Sequence, residues 1–212
     1  DLWFSRVVGP RCRGEAYYFR FADDFVACFQ SRQDAQAFME ALGGRLGKFR
    51  LALAEEKTRC IEFGRFAREN AHRRGGKPEE FTFLGLTHYC GKTKKGHFKL
   101  KRRTSRKKLG ASLRAFAEWA SRARHKLTKA EMIRRAKARV QGHLNYYAIT
   151  DNAQQCSRFV YYATRILRKR LNRKSQRKAY NWDQMNQALR WFGWPRVRIG
   201  VDLNPFRRAE AC

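Results

Sequence analysis

Tyr17-Tyr18-Phe19-Arg20-Phe21-Ala22-Asp23-Asp24-Phe25-Val26-Ala27-Cys28-Phe29 is the stretch that decides the fold. Two short aromatic and β-branched runs, 17–21 and 25–29, have the composition of strands. The link Ala22-Asp23-Asp24 is too short for anything except a tight hairpin. Adjacent carboxylates at such a tip repel one another, and a divalent cation would offset that cost. Mg²⁺ suits the position, because it takes one or two carboxylates and completes its shell with water and substrate phosphates. By itself the pair also fits ordinary turn chemistry, in which Asp is common.

The flanking sequence continues as mixed α/β. Ser31 stands where a helix N-cap belongs, with Asp34 three residues on as a weaker form of the capping box. The helix is predicted to run to about Phe49, with Ala35, Phe38, Leu42 and Leu46 on one face. Gly43, Gly44 and Gly47 weaken it, so packing must support it. Strands are predicted near 59–63 and 81–89, with a Gly-Pro loop over Arg73–Pro78 between them.

Beyond residue 100 the period becomes helical. Thr104 or Ser105 can cap a helix with the stripe Leu109, Leu113, Phe116 and Ala120. Thr128-Lys129-Ala130-Glu131 is a full capping box, followed by the stripe Met132, Ala136, Val140, Leu144 and Tyr147. A third helix starts near Asp151 and turns Cys156, Phe159, Val160, Ala163, Leu167 and Leu171 inward. Three such helices with short links imply a small bundle, so the fold class is α+β.

Charge sets the function class. The chain of 212 residues carries 48 Lys and Arg against 18 Asp and Glu, a formal charge of +30. Residues 99–178 alone hold 25 basic and 3 acidic side chains. Self-repulsion on that scale points to a polyanionic partner, nucleic acid first. A membrane partner is not expected, since no stretch approaches the roughly 18 apolar residues of a spanning helix. No signal peptide is visible, and a cytoplasmic location of bacterial type is expected. The six cysteines contain no CxxC pair and read as free thiols, several of them in the core.

The basic run Lys101, Arg102, Arg103, Arg106, Lys107 and Lys108 is predicted at a helix start, where the helix dipole disfavours cations. Phosphate binding explains it better than stability does. Arg114, Arg134, Arg135, Arg165, Arg168, Lys169 and Arg170 extend the same surface. Tyr146 and Tyr147 can stack on bases, though Tyr147 lies on the core stripe, and His143 reads as a packed histidine.

Phe21-Ala22-Asp23-Asp24 resembles the Tyr-Ala-Asp-Asp box of reverse transcriptases, with Phe for the usual Tyr. Glu55-Glu56-Lys57-Thr58-Arg59 resembles the segment that follows that box in bacterial retroelement enzymes. Phe81-Thr82-Phe83-Leu84-Gly85-Leu86 looks like the strand-turn that grips the primer end. Arg102–Lys107, Gln141–Tyr147, Trp182 and Gly193-Trp194-Pro195 are similar to the thumb, or maturase-specific, region of group II intron proteins. The resemblance runs in order over nearly the whole chain.

That resemblance implies a partial reverse-transcriptase palm over 1–100, a helical thumb or maturase-specific domain over 101–178, and its C-terminal tail over 179–212. The implied activity is RNA-directed DNA polymerisation, with assistance to RNA splicing. The implied partners are structured intron RNA, an RNA template with a DNA primer, and dNTPs. Asp23 and Asp24 would be the catalytic Mg²⁺ ligands. Phe21, Lys57, Leu84 and Gly85 would lie near primer or nucleotide. The family places a further metal-binding aspartate on an earlier strand, and Asp1 and Glu15 sit in no matching motif. A two-metal site is therefore expected to need a further N-terminal reverse-transcriptase portion, which fits Asp1 as the start of a truncated or processed chain. The alternatives are a non-catalytic RNA-binding module that assists splicing, or an inactive mobile-element remnant.

Overall fold

The computed structural model describes residues 1–173 and 179–204 and is a mixed α+β chain with two small antiparallel sheets. Cys212 and the last part of the expected tail lie outside the described residues. The chain divides into two units, residues 1–83 with 92–98 and residues 84–91 with 99–212.

In the first unit, β1 (Ala16–Phe21) pairs antiparallel with β2 (Asp24–Phe29), Ala16 opposite Phe29 and Phe21 opposite Asp24. Side chains alternate across a strand, so this register sends Ala16, Tyr18, Phe25, Ala27 and Phe29 to one face. There they meet the N-terminal turn Phe4–Val8 and α1 (Arg32–Gly47) in a core centred on Phe4, Phe38 and Leu42. Phe4 stacks on Tyr18 at 5.0 Å and Phe29 meets Phe38 at 5.2 Å. Helix α1 starts as its sequence predicts, the Ser31 hydroxyl accepting from the Gln33 N–H. Asp34 does not complete a capping box; its carboxylate accepts from the Arg13 backbone N–H at 3.0 Å.

Residues 59–63, expected as a strand, form none. A strand needs a partner for its ladder, and this one has no pairing. The short α2 (Ala67–Arg73) follows, burying Ala67 and Ala71. The expected strand over 81–89 is instead two, β3 (Glu80–Phe83) and β4 (Leu86–Lys92), parted by the turn at Leu84-Gly85. With β5 (Phe98–Thr104) they form a sheet in the order β3-β4-β5.

The basic run is correspondingly split. Lys101, Arg102 and Arg103 lie on β5, and only Arg106, Lys107 and Lys108 open α3 (Arg106–Lys126), capped by Ser105. Helix α4 (Lys129–Tyr147) begins with the Thr128–Glu131 capping box, both reciprocal bonds being present. Helix α5 (Ala153–Asn172) follows, and then α6 (Trp182–Trp191), which opens on a second box between Asn181 and Gln184. Met132, Ala136, Val140, Cys156, Leu167 and Met185 are fully buried in one core shared by the four helices. Residues 181–191, read from sequence as part of a tail, thus supply Met185 and Leu189 to that core.

Asn152 joins β5 to the bundle. It is wholly buried, its Oδ1 accepting from the Thr104 N–H at 2.8 Å. Its Nδ2 donates to the Thr104 hydroxyl at 2.8 Å and to the Tyr147 carbonyl at 2.7 Å. A buried polar group left unpaired costs about 1–3 kcal/mol, and Asn152→Ala strands the Thr104 N–H, while the Tyr147 carbonyl keeps the Ile149 N–H at 2.8 Å. Urea unfolding of Asn152→Ala is expected to show a loss of about 2 kcal/mol; a loss below about 1 kcal/mol removes the clasp from its structural role.

Candidate functional site

The link between β1 and β2 contains two residues, Ala22 and Asp23, and Ala22 takes the left-handed conformation at φ 51°. An L-residue there costs about 1–2 kcal/mol, so neighbouring bonds must hold the turn. Arg20 does so in part. Its Nη1 donates to the Ala22 carbonyl at 3.1 Å, while Nε and Nη2 grip the Asp1 carboxylate at 2.8 and 2.7 Å.

Asp23 and Asp24 are both exposed, Asp24 directly across from Phe21. Phe21 is 63% exposed and, with Tyr17 and Phe19, forms an aromatic row on the uncovered face of the ribbon. Two adjacent carboxylates on a rigid hairpin match the hard-oxygen, low-protein-ligand binding that Mg²⁺ prefers. Among the described residues they are not joined by a third His, Cys, Asp or Glu into a larger metal-binding group. A metal held by this pair would need its other ligands from solvent, substrate or another segment.

Lys57 sits in the exposed turn that begins at Ala54, its backbone N–H donating to the Ala54 carbonyl. Leu84 and Gly85 are the two central residues of the β3–β4 turn, with φ of 51° and 78°. Both being left-handed matches the type I′ turn that suits hairpin twist. Two hydrogen bonds within the second unit secure this turn. Tyr146 donates its hydroxyl to the Leu84 carbonyl at 2.9 Å, and the Ser105 N–H donates to the Gly85 carbonyl at 3.0 Å. A Cβ on Gly85 would fall 2.9 Å from the Tyr147 hydroxyl and 3.3 Å from Lys108 Cγ. The close approach that glycine allows here is thus to the protein's own side chains. Of the two tyrosines able to stack on bases, Tyr146 is bonded to this turn, and Tyr147 packs edge-on against Tyr146 and rests against His143.

The basic residues separate by environment. Arg106, Lys107, Lys108 and Arg114 on α3, Arg134 and Arg135 on α4, and Arg165 and Lys169 on α5 are exposed. Lys101, Arg102, Arg103, Arg168 and Arg170 are half-buried. Arg103 lies over Tyr89 at 4.9 Å and Arg168 over Trp182 at 4.3 Å, so both have an intramolecular packing role. The three acids of this region offer little neutralisation. Asp151 pairs with Lys99 at 2.8 Å, and Glu131 is engaged by the Thr128 cap. Exposed aromatics interleave with the cations: Tyr161 and Tyr162 stand on α5, with Arg165 donating to the Tyr161 hydroxyl at 2.9 Å. The i,i+4 spacing of Tyr161 and Arg165 is the sequence signal for this pair.

His143 packs as its sequence position suggests, stacked on Phe159 with ring centroids 3.6 Å apart. Burial pushes its imidazole down to about 4. No protein-family model matches this chain, and no curated protein matches it.

Two measurements follow from this geometry. Ala22→Gly relieves the left-handed strain and is expected to stabilise by about 0.5–1 kcal/mol after glycine's entropy is offset. Gly85→Ala is expected to destabilise by about 1–2 kcal/mol, since it meets both the conformation and the Tyr147 hydroxyl. The same sign for both in thermal melts contradicts the turn assignments. His143 is neutral when folded and takes a proton near pH 6.5 when unfolded. Stability should therefore fall as pH drops below about 6.5 and that component should level off near 4. In His143→Phe this component should vanish; an unchanged pH profile rules His143 out as its source.

Proposed function

We propose that this chain is the palm and thumb portion of a group II intron reverse transcriptase and maturase. It binds structured intron RNA and supplies part of an RNA-directed DNA polymerase site. The observation that carries the reading is the exposed Asp23–Asp24 pair on a two-residue hairpin, with the order of motifs that follows it.

The reaction is in-line attack of a primer 3′-hydroxyl on the α-phosphorus of a dNTP, with pyrophosphate leaving. Asp23 and Asp24 would hold Mg²⁺, which when bound neutralises charge on the attacking and leaving oxygens. The hairpin fixes both carboxylates relative to the strands, and such positioning is worth several kcal/mol in the barrier. Lys57 contributes an exposed cation for triphosphate or backbone phosphate. The Leu84-Gly85 turn offers a rigid edge for the primer end. The exposed cations of α3, α4 and α5 would follow a duplex backbone. Backbone and shape readout is the available mode on A-form helices, whose major groove is closed to side chains.

A second reading is favoured by one observation: Asp23 and Asp24 gather no third acidic or imidazole ligand among the described residues. In that case the chain is an RNA-binding module that assists splicing without polymerising.

Filter binding of a structured RNA at graded KCl tests what the two readings share. The log–log slope should be about −4 or steeper, with roughly 0.7–0.9 per neutralised phosphate. Affinity that barely moves between 50 and 200 mM salt, the range over which such a surface loses orders of magnitude, defeats both. Primer extension with Mg²⁺ and dNTPs tests the role of the aspartates. The chain alone is expected to give none. Extension that Asp23→Asn abolishes supports the polymerase and shows the site to be complete; extension unaffected by Asp23→Asn removes the aspartates from the mechanism.

A further inference from the structure

Helix α6 ends in a way that builds a cleft. Gly193, at φ 61°, donates its N–H to the Arg190 carbonyl at 3.0 Å, and the Trp194 N–H donates to the Leu189 carbonyl at 2.8 Å. These are the paired bonds of a Schellman cap, with Pro195 following to prevent helix continuation. The chain then turns back to α4. The Gly200 N–H donates to the Ala148 carbonyl at 2.9 Å and the Thr150 N–H to the Val201 carbonyl at 3.1 Å. Ile149 and Val201 form a parallel bridge. Segment 193–201 is thus fastened at both ends and bows away from α4 between them.

The bow and the C-terminal half of α4 line an open cleft of about 590 Å³. That lies within the roughly 300–1,000 Å³ of small-ligand sites. The buried Leu144 contributes an apolar wall. Gln141 and Asn145, one turn apart and both exposed, line it too; Gln141 Nε2 donates to Asn145 Oδ1 at 2.8 Å. That bond leaves an amide oxygen on Gln141 and amide hydrogens on Asn145, a side-by-side acceptor and donor. Trp194 also lines the cleft, and its buried indole N–H has no acceptor among the described residues. Arg196 and Arg198 stand exposed on the bowed segment.

We infer that this cleft binds a single unstacked nucleotide of an RNA strand. Each component has a counterpart in that ligand. The adjacent acceptor and donor complement the edge of a base, the apolar wall at Leu144 its face, and the two guanidinium groups its phosphate. A bare anion would leave the apolar wall and the amide pair unused. A purely apolar ligand would leave the amide pair and the two guanidinium groups without a role. The cleft is too small for a duplex, so the nucleotide must be splayed from a loop, bulge or end. This rests on the reading of the chain as an RNA-binding protein and adds one local, base-contacting site to its broad basic surface.

The test uses the full chain and isothermal titration with AMP, GMP, CMP, UMP and inorganic phosphate. At least one nucleotide should bind tenfold or more tightly than phosphate. Gln141→Ala with Asn145→Ala should flatten the preference among bases while phosphate binding persists. Arg196→Ala with Arg198→Ala should weaken every nucleotide by tenfold or more. All four positions are exposed, so circular dichroism should be unchanged and a folding defect is separable. Nucleotides no tighter than phosphate, titrations unaffected by both double variants, or a Glu-rich peptide outcompeting every nucleotide would each overturn the proposal. Filter binding of structured RNA to the parent chain distinguishes the two levels. Loss there removes the RNA-binding reading itself, whereas retained RNA binding with a failed nucleotide titration removes this cleft alone.

Discussion

A single buried amide makes the second unit one object. Asn152 occupies the corner between α4 and α5 and satisfies both the N–H and the hydroxyl of Thr104. Thr104 ends β5, and Ser105 beside it caps α3 and bonds the Gly85 carbonyl. One contact therefore ties a strand end, a helix start and a turn to the bundle. In an interior of low dielectric such a network is valuable when complete and costly when broken.

The hairpin turn that depends on this network is conformationally expensive. Leu84 has a side chain that disfavours its left-handed backbone. The Tyr146 hydroxyl and the Ser105 N–H take up both turn carbonyls, so the strained conformation is over-determined by its surroundings. The Asp23 hairpin uses the same strategy with different material: a left-handed Ala22 whose carbonyl is held by Arg20. In both places strain falls beside the residues on which the functional reading rests, a common location for it.

The legible parts of this structure are those with local causes. Ser31, Ser105 and Thr128 cap helices because a hydroxyl reaches an N–H two or three residues ahead. The β1–β2 hairpin follows from two apolar runs and a short link, read as Ala22-Asp23-Asp24 and found to be Ala22-Asp23, with Asp24 already paired on β2. The Asn181–Gln184 box was equally local, but lay in a stretch read as a tail. Strand β5 was hidden because Lys99, Lys101, Arg102 and Arg103 have weak strand propensity and are held by pairing in the β3-β4-β5 sheet. The 59–63 stretch is the converse, with strand-like residues and no partner. Of the site, the aspartates and exposed cations could be seen in sequence. The ties of Tyr146 to Leu84 and of Asn152 to Thr104 could not, since they span 62 and 48 residues.

The scarcity of acids in residues 99–178 has a thermodynamic consequence. Twenty-five cations face three carboxylates, at least two of which already serve internal contacts. Folding brings these like charges together, so part of the core's stabilisation is spent opposing them. A polyanion that binds the folded surface relieves that repulsion, and by linkage adds to stability in proportion to the logarithm of its occupancy ratio. On the proposed reading, folding and binding are coupled through charge: an RNA that bound this surface would also act as its counterion.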